Sequence, residues 1–153
     1  MVKTKTRIFL LFGFIVIGSL YAQTNNCLNG KWITTYKGVE TEFRFNNGNF
    51  ESFSMGVPSA RGTYMAINGI ITINFSHIHG SSLDSFLSGI ESRWYTRDEI
   101  IIAFRQLEDL SESEIIGLVN GLMFNRRYNY SMDTNSLFLF GGPLGVQMVF
   151  TRK

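Results

Sequence analysis

From Gly30 onward, apolar residues recur at every second position in short runs separated by turn-forming residues, the period of strands with one buried face. Trp32, Thr34 and Tyr36 share one face of a first run that turns at Lys37-Gly38. Val39, Thr41, Phe43 and Phe45 then alternate with Glu40, Glu42 and Arg44. Asn46-Asn47-Gly48-Asn49 predicts a hairpin loop, because Asn and Gly adopt positive φ cheaply and prime turns that match strand twist. Phe50 to Met55 is the expected returning strand, a break follows at Gly56-Val57-Pro58-Ser59, and Asn68-Gly69 joins a strand over Arg61 to Ile67 to one over Ile70 to His77.

The period then changes. Thr96-Arg97-Asp98-Glu99 fits a capping box ahead of Ile100, Ile101, Ala103, Phe104 and Leu107 at helical spacing. Ser111-Glu112-Ser113-Glu114 repeats the device before Ile115, Leu118, Val119 and Leu122, with Leu110 placed to staple onto Ile115. Two short amphipathic helices are therefore expected, inside an insertion over about 83–124. Beyond Arg126 the strand period returns: Tyr128, Tyr130 and Met132, a turn at Asp133-Thr134-Asn135, Leu137 and Leu139, a Gly141-Gly142-Pro143-Leu144-Gly145 loop, and Val146, Met148 and Phe150.

Five strands precede the insertion and three follow it. An open antiparallel sheet of eight would leave two edges free to pair with other chains, and closing it removes them. The expected fold is mainly β: an eight-stranded antiparallel up-and-down barrel with a two-helix insertion between strands 5 and 6. The inward set would be Trp32, Tyr36, Phe43, Phe45, Tyr64, Phe75, Tyr128, Tyr130, Met148 and Phe150, bulky enough either to fill the interior or to leave room for one small ligand.

The amino-terminal pattern concerns compartment. Lys3, Lys5 and Arg7 precede an apolar run from Ile8 to Ile17 and the small-residue segment Gly18-Ser19-Leu20-Tyr21-Ala22, the order of an export signal. The apolar stretch falls short of the roughly 20 residues a bilayer span requires. The expected division is a signal peptide over 1–22, a flexible leader over 23–29 and a barrel domain over 30–153, with a periplasmic, cell-surface or secreted destination. Removing 22 of the 153 residues leaves 131, enough for one core, and three of the 14 Lys and Arg depart with them, turning the formal charge from +2 to −1. A nucleic-acid partner is therefore not expected. Cys27 is the one cysteine, so no internal disulfide is available. It would bring the chain to a membrane only if lipidated, and Thr24-Asn25-Asn26 before it lacks the usual apolar residue.

Gly30-Lys31-Trp32 at the first strand and Arg152 near the end of the last resemble the Gly-x-Trp signature and closing basic residue of lipocalin-like (calycin) barrels. With the Phe45 to Phe50 hairpin and Gly62-Thr63-Tyr64, the segment over 28–153 is similar to small exported bacterial lipocalin-like domain proteins. The resemblance implies a structural contact of Arg152 with Trp32.

Candidate chemistry is sparse. His77 and His79 lie two apart on one strand face, a spacing that suits two ligands of one metal ion, without a visible third. No Gly-x-Ser-x-Gly elbow is present, and the pairs Asp98/Glu99 and Glu112/Glu114 fall at helix starts, where they favour the helix dipole. Neither an enzyme nor a cofactor is expected. Trp94-Tyr95 either anchors the insertion or lines the barrel mouth. The expected function is a binding protein for a small hydrophobic molecule, contacted from Tyr36, Phe43, Tyr64, Phe75, Trp94, Tyr128 and Tyr130. The other reading is a packed barrel that docks an envelope or host protein through its insertion.

Overall fold

Alternation at period two produces the expected strands in the computed structural model, which describes residues 27–107, 109–123, 126–141, 145 and 147–153. The signal segment and residues 23–26 of the leader lie outside the described residues. Among the described residues nine strands form: β1 (Gly30–Tyr36), β2 (Val39–Asn46), β3 (Asn49–Ser54), β4 (Val57–Ile67), β5 (Ile70–His79), β6 (Trp94–Thr96), β7 (Arg126–Met132), β8 (Ser136–Phe140) and β9 (Met148–Arg152). Three helices lie between β5 and β7: α1 (Gly80–Leu83), α2 (Arg97–Phe104) and α3 (Glu112–Met123).

Tight hairpins set the register. Lys37-Gly38, Asn47-Gly48, Met55-Gly56 and Asn68-Gly69 each place two successive residues at positive φ, the turn whose twist matches the flanking strands. The Met55-Gly56 turn was not expected. It lets β4 begin at Val57, so Pro58 joins the strand rather than a loop, opposite Phe53 where the register shifts. At the β7–β8 turn the Asp133 carboxylate accepts the amides of Asn135 and Ser136, at 2.8 and 2.7 Å.

All pairings are antiparallel, and β1, β2, β3, β4, β5, β7, β8 and β9 close into a ring when β9 pairs with β1 at Trp32↔Arg152. Among the described residues, the extra strand β6 pairs only with the upper end of β5, His77↔Thr96 through His79↔Trp94. Opposite that end, the β4–β5 ladder shifts register between Arg61 and Gly62. A side chain on Gly62 would meet the Asn74 carbonyl oxygen at 1.9 Å, so only glycine permits the strands to approach there. The irregularity exchanges the faces of β5: Ile71 and Ile73 are buried below it and Ile78 above it, which sends His77 and His79 to the other face.

The core divides in two. Trp32, Phe45, Phe50, Tyr64, Tyr128, Leu137, Leu139 and Phe150 fill the lower barrel, and Leu28 lies fully buried among them. The chain is thus packed before Gly30, and the expected loose leader does not extend to Leu28. A second cluster joins Ala60 and Ile78 of the wall to Leu83, Tyr95, Ile100, Phe104, Ile115 and Val119 of the insertion. Tyr95 takes the anchoring role: its hydroxyl accepts the Glu91 amide at 3.1 Å. Leu118 departs from the expected stripe and is 42% exposed, because α3 turns mainly Ile115 and Val119, one helical turn apart, to the core.

Candidate functional site

Between the two clusters lies a cavity of about 490 Å³. Phe43, Ile73, Phe75, Tyr128 and Met148 form its lower wall, Ala60 and Ile78 its upper wall, and Leu83 of α1 and Gly121 of α3 its roof. Antiparallel pairing builds this wall: side chains two apart on β2, β5 and β7 point inward, so Phe43, Ile73, Phe75 and Tyr128 arrive at neighbouring heights from three strands. Ser52, Ser59, Ser82 and Arg126 supply polar groups. Ser52 Oγ donates to the Ala60 carbonyl at 3.5 Å, and Ser82 Oγ donates to Ser59 Oγ at 2.9 Å, tying α1 to β4.

The expected ligand contacts separate into two groups. Phe43, Phe75 and Tyr128 line the cavity. Tyr64 sits below it in the packed core, its hydroxyl bonded to Asn29 Oδ1 at 3.0 Å and its phenol pKa raised by burial. Tyr130 packs against the same core and is raised likewise, chiefly by burial. Tyr36 is a correction to the inward set: it shares the face of Trp32 but stands at the rim and is 63% exposed, with Lys37 Nζ 5.4 Å from its ring centre. Among the described residues the β1–β9 pairing stops at Ile33↔Thr151, so β9 does not cover Tyr36. Trp94 pairs opposite His79 on the outer face, against the His79 ring at 5.1 Å and under the Arg61 guanidinium at 4.7 Å, away from the cavity.

The histidines have local structural partners. His79 caps α1, its Nδ1 accepting the Ser81 amide at 3.4 Å, and His77 Nδ1 lies 2.9 Å from Ser76 Oγ. Burial, followed by the nearby Arg61 charge, lowers the His77 pKa. Among the described residues no group of three or more His, Cys, Asp or Glu could hold a metal ion. One acid of each pair acts as a cap: Glu114 accepts the Ser111 amide at 2.8 Å, and Glu99 accepts the Thr96 amide at 2.8 Å and the Arg93 guanidinium at 2.8 Å, which hold its carboxyl down at about 2.

No family model, curated protein or solved structure matches the chain. The closed eight-stranded antiparallel barrel is consistent with a lipocalin-like architecture. Its expected end closure is present: Arg152 Cζ stands 4.5 Å from the Trp32 ring centre, and the indole N–H donates to the Leu28 carbonyl at 2.7 Å. Arg126, Met148 and the seryl hydroxyls were missed as site residues. The strand period did place Arg126 in phase with Tyr128, and that was the available signal.

Proposed function

We propose that the chain is an exported, non-enzymatic binding protein that takes one small apolar or amphipathic molecule into the cavity beneath its helical insertion. The carrying observation is the void itself: about 490 Å³ bounded by Phe43, Phe75, Tyr128 and Met148, within the ~300–1,000 Å³ range of small-molecule sites. The mixture of apolar wall and few polar groups suits a ligand that is mostly hydrocarbon. The basic, apolar and small-residue order of the first 22 residues supports export and, with it, a role in the cell envelope or outside the cell.

The test is native mass spectrometry of the processed protein purified from its own cells, with N-phenyl-1-naphthylamine fluorescence as a second readout. A co-purifying mass released by denaturation, and probe binding abolished in Ala60→Phe without a lower melting temperature, are the expected results. A bare protein mass together with an unresponsive probe would count against the reading. A second reading, docking of a partner protein, is favoured by the exposed apolar side chains of the insertion: Phe86 at 51%, Ile102 at 57% and Leu118 at 42%.

A further inference from the structure

Among the described residues, the cavity wall carries one charged side chain, that of Arg126. Other arginines have evident partners: Arg44 is paired with Glu42, Arg93 and Arg105 with Glu99 and Glu112, and Arg152 donates to the Cys27 carbonyl at 2.6 Å. For Arg126 no carboxylate lies within ion-pair distance among the described residues. Among the described residues its Nε–H, like that of Arg152, is buried without a hydrogen-bond acceptor, but only Arg126 has this group on the cavity wall, where its guanidinium carbon stands 5.3 Å from the Phe75 ring centre. A buried donor lacking an acceptor is unfavourable, and an acceptor carried by a ligand removes that penalty.

We infer that Arg126 selects the ligand by binding the carboxylate of an amphipathic acid whose hydrocarbon body lies against Phe43, Phe75 and Met148. The planar guanidinium presents parallel N–H groups that match the two oxygens of a carboxylate. Its position completes the fit: Arg126 is the first residue of β7, opposite Ile73 at the end of the β5–β7 ladder, between the packed lower wall and the roof. An acid enters with its chain toward Phe43 and its head held at the edge of the apolar space. The inference rests on the binding reading above and adds the charge of the ligand to it.

Isothermal titration of the processed, ligand-stripped protein with dodecanoate and with dodecanol separates the two claims. Wild type is expected to bind dodecanoate about ten- to a hundredfold more tightly than dodecanol, the range for a hydrogen bond to a charged group. Arg126→Gln is expected to bring dodecanoate down to the dodecanol level while leaving dodecanol binding in place, and Arg126→Lys to retain part of the preference. Equal binding of acid and alcohol by wild type, or a preference that survives Arg126→Gln, overturns the carboxylate assignment and leaves the cavity as a site. Binding of neither compound overturns both. Should Arg126→Gln fail to fold, the wild-type comparison and the Arg126→Lys variant decide the matter.

Discussion

Trp32 has no solvent exposure, and its two polar requirements are met at the same end of the barrel: its N–H reaches the Leu28 carbonyl, and its π face meets Arg152. Replacing a buried tryptophan with alanine costs about 3 to 5 kcal/mol, whereas a cation over an indole contributes ~0.5 to 2. Trp32→Ala should therefore lower the melting temperature sharply and Arg152→Met much less, as thermal unfolding followed by circular dichroism would show; equal losses would mean that the arginine, through its carbonyl bonds, holds the end shut. The face of each residue was legible because strand alternation reports it directly. Height along the barrel was not: Trp32 and Tyr36 have the same phase, yet one lies in the core and the other at an open rim. Similarly, phase placed Arg126 beside Tyr128, but the absence of a nearby carboxylate among the described residues depends on contacts distant in sequence.

The helices were readable wherever their signals are local. Thr96 and Glu99 satisfy each other's amides in a capping box, and Ser111 and Glu114 do the same ahead of α3, with Ser111 N–H donating to the Glu114 carboxylate at 2.8 Å. The three-residue β6 left no such trace, because it is too short to show alternation and exists through its pairing with β5. These caps make the insertion sensitive to acid. Hydrogen bonds from the Thr96 backbone, Arg93 and the Thr96 hydroxyl depress Glu99 from 4.5 to about 2, and a depressed carboxyl stabilises the folded state above its unfolded value. That contribution is lost as pH falls from about 4.5 toward 2. Glu112 and Glu114 are shifted the same way, by the Arg105 guanidinium and the Ser111 hydroxyl. Melting temperatures across that window should fall for wild type and fall less for Glu99→Gln; identical profiles would remove Glu99 from the account.

Across the whole molecule, one strand changes neighbours. On the side away from β4, β5 pairs with β7 from Ile70 to Ile73 and with β6 from His77 to His79. Among the described residues none pairs with Asn74 to Ser76 on that side, although β4 still pairs with Asn74 and Phe75. The described outer partner of β5 changes there, with Arg126 at the end of one ladder and Phe75 on the inner side. A segment paired along a single edge opens locally at lower free energy than one paired along both. Amide hydrogen exchange within β5 should therefore be fastest over Asn74–Ser76 and slower over Ile70–Ile73; uniform protection would mean that the wall is seamless. Phe75 and Arg126 therefore meet on the cavity wall at the level where β5 exchanges one outer neighbour for another, so a substitution at either should register in the amide protection of that stretch as well as in the shape of the cavity.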